Sequence, residues 1–482
     1  MKLEQTAAWG DRRRGLDRLE RRIVRLQVES PDPEAGELID ALRYVLSFAR
    51  LTQIRNEAGE DVDVMGFLSD HAAFVEETVG RRVQKNDKTV WPAIRELPAL
   101  VRRTRKLRVE LLEKFPVDRD ALEGEVTTRL LAVASGGGGG AGYVYPGAYE
   151  MLERGGLIPD LMVGTSIGAL MSLFRCRRKR WDFAPWVGAA RSLTWAGVFK
   201  VLQTQNRYGL PASLRLFLRG AIGHLFRHDD HGFMRISDME IPLHIVSSGL
   251  TVDALKHDLD FYEHLLDDDV ARRGIRGGVA GGFKAIAMLR EFMSRPDALV
   301  EVVLGREDGT EHFDAMDAAG FSAAIPGIIH YDVLRDDPRM TRILDALYAS
   351  RGITRLGEGG LVSNVPARIA WESVMSGQYG RRNVFVLALD CFAPQTRRLP
   401  WMPIQQGIRT ANVMADRRFS DLYITFPQTL SPMNLVPATR DALAAVAWGR
   451  DRVRPYMPFV REMTRPLPVL ADESRAEERT AS

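Results

Sequence analysis

Three stretches of this sequence carry residue types and spacings that could do chemistry. Ser166 stands in Gly164-Thr165-Ser166-Ile167-Gly168, the G-x-S-x-G spacing of a nucleophile elbow. Glycines flank such a serine because its backbone is strained and neighbouring elements crowd the turn. Upstream run five glycines, Gly136–Gly140, followed by Ala141 and Gly142. A loop of that composition can aim backbone N–H groups at a developing oxyanion. The third stretch is Gly357-Glu358-Gly359-Gly360, a single carboxylate framed by glycines. A nucleophile beside a donor cluster is equipment for acyl transfer. A Ser-Asp-His triad in α/β-hydrolase order would need a late histidine, but the last one is His330. A triad through His244, His257, His264, His312 or His330 would leave the C-terminal third without a catalytic role. A Ser–carboxylate dyad needs no histidine.

The elements around these residues suit that chemistry. Leu130–Ser135 is an apolar run ending in a small polar residue, as a buried strand before a glycine loop would be. Tyr149–Arg154 has helix spacing and stops at Gly155-Gly156. The apolar Leu157–Val163 then delivers the serine turn, and a helix follows through Leu173. The order is strand, glycine loop, helix, strand, serine turn, helix. The same glycines fit G-x-G-x-x-G through Gly137, Gly139 and Gly142. A dinucleotide fold, however, expects an acidic residue ending the second strand, where Gly164-Thr165-Ser166 stands.

Composition sets bounds. The 482 residues allow two or three domains, or one large domain with extensions, and 45% apolar with 27% charged residues is ordinary for a globular protein. A formal charge of +3 is too small to argue for nucleic acid. The two cysteines, Cys176 and Cys391, make no disulfide framework and fit a reducing compartment. No signal-peptide-like core opens the chain, and no window has 18 uninterrupted apolar residues, so the expected setting is cytoplasmic, with at most peripheral membrane contact.

Residues 1–125 read as helices. Leu16, Leu19, Ile23 and Leu26 form a narrow seam, Leu38, Leu42, Val45 and Phe48 a second, and Phe67–Val79 a third. Val101–Phe115 is a very basic helix whose simplest reading is a solvated face. Arg175–Phe183, with Trp186 and Trp195 beyond, interleaves cations and large aromatics. That pattern suits either a membrane interface or a helix end whose cations complement its dipole, with the aromatics in the core. Leu214, Leu216, Phe217, Leu218, Ile222 and Leu225 predict an amphipathic helix over Tyr208–Phe226. His224 and His228 would share its face, yet no Glu lies between them and Gly232 suggests a polar loop, so no metal is assigned. Strands are expected at Pro242–Gly249, Ala298–Leu304 and Val384–Asp390, a loop at Gly274–Gly282, and a small-residue helix before Pro326. Residues 396–465 read as mixed helix and loop, and the tail after Leu470 as disordered.

Taken in order, these segments resemble the patatin-like phospholipase family, in particular a bacterial lipid acyl hydrolase with an N-terminal helical extension. The family's oxyanion loop, G-G-G-x-R-G, matches Gly137–Gly142, and Gly147 falls where its next helix carries glycine. Its G-x-S-x-G serine matches Ser166, its A-S-x-A-I-P-G stretch resembles Phe321–Gly327, and its D-G-G/A-x-x-x-N-x-P matches Glu358–Pro366. The resemblance implies an α/β protein of three-layer α/β/α architecture with a mostly parallel central sheet, plus the helical N-terminal region. The expected domains are residues 1–125, a patatin-like domain over 126–395, and a helical extension with a disordered tail over 396–482. It also implies Ser166 as nucleophile, Glu358 as dyad carboxylate, and Gly137, Gly138, Gly139 and Gly142 as the oxyanion hole. Gly164 and Gly168 would shape the elbow, lipid acyl esters would be the substrates, and neither metal nor other cofactor is called for. Residues 175–226 become a candidate lid or peripheral membrane contact.

Two positions depart from the family pattern. Ala141 stands where the loop has arginine, and Glu358 stands where the dyad has aspartate. The extra methylene displaces the carboxylate by roughly 1 Å or more, a misplacement that can cost about 10²-fold in rate. The alternative expectation is therefore a weak or silent patatin-fold protein that binds lipid or a partner.

Overall fold

The position of the site is decided by one strand and what pairs along its two edges. In the computed structural model, residues 3–83, 89–201, 207–228, 232–251, 298–333, 335–393 and 414–471 are described. They fall into two compact units, one of residues 1–131, 371–385 and 456–482, the other of 132–370 and 386–455. The loop expected at Gly274–Gly282 and the tail beyond 471 lie outside the described residues.

The second unit is built on a seven-stranded sheet of β1 (Leu130–Ser135), β2 (Leu161–Thr165), β3 (Leu243–Thr251), β4 (Leu299–Leu304), β5 (Ile353–Gly357), β6 (Val384–Asp390) and β7 (Leu422–Thr425). Its order is β5-β3-β2-β1-β6-β7, with β4 also on β3. The pairs β1/β2, β2/β3 and β6/β7 are parallel. β1, β2 and β6 are buried throughout, as the continuous apolar runs of a covered parallel sheet require. With helices on its faces the unit has the three-layer α/β/α fold.

β3 is the organising strand. Its first half, Leu243–Val246, pairs parallel with Met162–Thr165 of β2. Its second half, Ser248–Thr251, pairs antiparallel with Gly357–Ile353 of β5. β4 covers Ile245–Leu250 and so overlaps both partners. β4 must therefore occupy the opposite edge, leaving β2 and β5 end to end along a single edge. β2 and β5 run toward each other there, and the residues that follow them, Ser166 and Glu358, are driven together.

The helices of this unit that shape the site are α1 (Tyr145–Arg154), α2 (Ile167–Cys176), α3 (Ala315–Ser322) and α4 (Thr439–Val453). α1 and α4 touch backbone to backbone. A Cβ on Gly147 would sit 2.0 Å from the Val446 carbonyl oxygen, and one on Gly449 would sit 1.9 Å from that of Val144. A second sheet joins Phe199–Val201, Ala212–Leu216 and Gly327–His330. The helix expected over Tyr208–Phe226 is thus a strand followed by two short helical turns, Leu218–Ile222 and Gly223–Phe226. Ala212, Leu214 and Leu216 alternate with polar residues at period two, and pairing on both edges stabilises the extended form over the helical one.

The first unit is mainly helical, with helices Leu3–Glu29, Gly36–Ala49, Met65–Arg82, Leu97–Lys114 and Arg119–Thr127 and a small hairpin, Gln53–Arg55 with Asp61–Asp63. Leu16, Ile23, Leu42, Val45, Val75 and Val79 share its core. Glu20 is buried beneath Arg43, Arg50 and Arg129. Burial raises its carboxyl, but Arg50 and Arg43 outweigh that and hold it below the usual range. On the basic helix Arg102, Arg103 and Lys106 are exposed, while Arg108 is buried against Glu123. Among the described residues no helix is long and apolar enough to cross a membrane.

Candidate active site

Ser166 follows β2 and opens α2, with φ 55° and ψ −125°, and among the described residues no other non-glycine has positive φ. Such a conformation costs on the order of 1–3 kcal/mol and persists only where its surroundings hold it. The flanking glycines permit this packing. A Cβ on Gly168 would lie 2.1 Å from the Ser135 carbonyl oxygen, and one on Gly164 would lie 2.5 Å from Ala169 Cα. Ser322, the last residue of α3, braces the turn. Its Oγ accepts the Ser166 N–H at 2.8 Å and donates to the Val246 carbonyl.

Glu358 is tied down on both sides. Its own N–H donates to the Ala324 carbonyl at 2.9 Å, and a Cβ on Gly359 would come within 2.1 Å of the Val246 oxygen. Its Oε1 accepts the Gly360 N–H at 3.1 Å, and its Oε2 accepts from Ser166 Oγ at 3.1 Å across 192 residues of sequence. Both side chains are nearly buried, Ser166 at 6% exposure and Glu358 at 9%. Burial pushes the Glu358 carboxyl up to about 7, with the Gly360 N–H and Ser166 pulling the other way. No histidine among the described residues hydrogen-bonds to either. His244 is buried with its pKa driven down to about 3 by burial, and His330 Nδ1 faces the Leu210 carbonyl.

The glycine loop lies against this pair, and its residues divide by role. Gly136 donates its N–H to Leu389, Gly137 to Asn364 (3.0 Å) and Gly140 to Pro432. Gly137 therefore leaves the expected donor set, because its N–H pins the Asn364 loop. Gly142 serves packing, since a Cβ there would meet Ile167 at 2.5 Å. Gly138 and Gly139 adopt φ 153° and 55°, and among the described residues neither N–H has a partner. Their two amides are the loop donors left without a partner beside Ser166.

Ser166 and Gly139 open on a cavity of about 110 Å³. Its walls are apolar, with Leu170 and Phe174 from α2, Phe199 and Leu216 from the small sheet, and Trp186 and Leu435 beyond. The stretch 175–226 thus contributes wall, and its start has the features of the helix-end reading. Arg175 is buried and donates to the Arg178 and Lys179 carbonyls, and Trp186 is in the core with Phe183 stacked on it. His228 Nε2 is bound to Asp238 at 3.0 Å, and no three potential metal ligands converge among the described residues.

Ser322 carried no signal in the sequence beyond its place in Phe321–Gly327. Ser322→Ala leaves the buried Ser166 N–H unpaired, which is expected to lower stability by about 1–3 kcal/mol. Urea unfolding measures that loss, and a simultaneous fall in kcat larger than any rise in KM would place the damage at the elbow.

A strand-to-helix serine elbow facing a glycine loop, in an α/β/α fold, defines a class of protein by architecture. Residues 133–371 match the patatin-like phospholipase family model, and this domain belongs to that family. Members of the family are typically hydrolases acting on lipid esters. No curated protein matches the chain.

Proposed function

We propose that this protein is a lipid acyl hydrolase of phospholipase A or lysophospholipase type, working through a Ser166–Glu358 dyad. The observation that carries the reading is the 3.1 Å contact from Ser166 Oγ to Glu358 Oε2 at the mouth of an apolar cavity. Ser166 Oγ attacks the ester carbonyl carbon as its proton passes to Glu358. The Gly138 and Gly139 N–H groups stabilise the oxyanion, and losing one such donor typically costs about 10²–10³ in rate. The tetrahedral intermediate collapses, the C–O bond to the alcohol breaks, and Glu358 returns the proton to the departing oxygen. Water then gives its proton to Glu358 and attacks the acyl-enzyme. Ser166 leaves, recovers the proton, and the fatty acid is released. The acyl chain lies in the cavity, where each buried methylene contributes about 0.8 kcal/mol.

A fluorophosphonate probe tests the nucleophile. Wild-type protein is expected to label and to release fatty acid from phospholipid or lysophospholipid, and Ser166→Ala is expected to do neither. Absence of labelling in the wild type, with lipid binding intact, would replace this reading with that of a silent binding protein.

A further inference from the structure

We propose that the rim of the acyl cavity is a docking surface for an anionic lipid bilayer, with Trp195 and Met433 as the residues that enter it. Two separate segments present the same arrangement there. Leu193 lines the cavity while Trp195, two residues on, is 49% exposed. Leu435 lines the cavity while Met433, two residues before, is 50% exposed. The segments are joined at their bases, for Thr439 Oγ1 donates to the Ala190 carbonyl at 3.2 Å. Trp195 also packs on Phe199, itself a cavity wall, with ring centroids 4.6 Å apart. An amphipathic ring at the edge of an apolar channel suits the headgroup level of a membrane.

Charge favours an anionic surface as the occupant. From Phe183 to His228 the sequence has no Asp or Glu and six Lys or Arg, and 426–440 has no acid either. Arg191 and Lys200 flank the Trp195 turn and are exposed, and beside the Met433 segment the Arg440 side chain is 92% exposed, with its Nε 3.4 Å from the Asp441 carboxylate. Near an anionic leaflet each such cation strengthens partitioning about fivefold. The surface deepens the lipid-ester reading and rests on it for its purpose, because the entrance to the acyl cavity would then open directly on the substrate phase.

The test uses full-length Ser166→Ala protein, so that hydrolysis does not disturb the membrane. Cosedimentation is measured with vesicles of phosphatidylcholine alone and of equal parts phosphatidylcholine and phosphatidylglycerol. Binding is expected to the mixed vesicles, weakening as salt rises. Trp195→Ala with Met433→Ser, and separately Lys200→Glu with Arg440→Glu, are each expected to weaken it about tenfold or more with unchanged thermal midpoints. In a Ser166 background these variants should still hydrolyse a soluble short-chain ester at the unaltered rate. Equal binding to both vesicle types, no binding at all, or a change of oligomeric state on Trp195→Ala would each overturn the proposal. Wild-type hydrolysis of the soluble ester would survive those results, and its absence would sink the enzyme reading while leaving the binding result standing.

Discussion

Shortening Glu358 to aspartate is expected to lower lipid-ester hydrolysis about 10²-fold, even though aspartate is the residue of the family's dyad pattern. The argument is geometric. The 3.1 Å contact to Ser166 Oγ is made by the carboxylate of a glutamate, one methylene further from the backbone than an aspartate carboxylate. The backbone cannot advance to make up a lost methylene. The Glu358 N–H is bound to Ala324, and Gly359 is pressed against the Val246 carbonyl of β3. The shorter carboxylate would also give up the Gly360 N–H that fixes its second oxygen. Retraction on the order of 1 Å at a reacting group is the scale at which rates fall about 10²-fold. Glu358→Gln keeps the length but removes the base, and should fall further than Glu358→Asp. Steady-state kcat/KM on one lysophospholipid orders the three proteins. If Glu358→Asp is faster than the wild type, the site is a damaged aspartate site and the fitted-glutamate account is wrong.

Most of the parts of this site were legible in the sequence, and their assembly was not. Ser166 between glycines, the glycine loop and the Glu358 loop all declare themselves through residue types that strained turns and close backbone contacts demand. Whether a glutamate can reach the serine depends on where β5 stops along β3, and that is set by pairing between segments far apart in the chain. The division of labour inside the glycine loop was hidden for the same reason. Gly137 and Gly138 are identical as letters, and only the Asn364 carbonyl distinguishes them. The misread helix at 208–226 has a related cause. Ala212, Leu214 and Leu216 alternate, but Leu218 and Ile222 follow in helical spacing, and only the partner strands decide between the two periods. In the basic-aromatic stretch the sequence left a membrane interface and a helix end open, and only the packing shows the Arg175 guanidinium donating to carbonyls at the helix end.

Ionisation of Glu358 should move activity and stability in opposite directions. Burial raises its carboxyl to about 7, and the proposed dyad needs it charged. kcat/KM should therefore climb about tenfold per pH unit below 7 and level off above it. At pH 5 that leaves on the order of 1% of the plateau. For stability the sign reverses. Between its ordinary value of 4.5 and about 7 the folded protein holds a proton that the unfolded chain has already released. Unfolding there releases protons, so stability falls as pH rises across that window. Above pH 7 the buried carboxylate costs the native state about 3 kcal/mol, from roughly 2.5 pH units at 1.36 kcal/mol each. Glu358→Gln escapes that cost. It should unfold at higher denaturant than the wild type at pH 8 and lose most of that advantage at pH 4.5, where the wild-type group is neutral in the folded protein and half protonated in the unfolded chain. Urea titrations of the two proteins at those pH values decide the matter. A stability difference that does not change with pH would mean that Glu358 is not the group that titrates, and a pH–rate profile flat from 5 to 8 would remove it as the base.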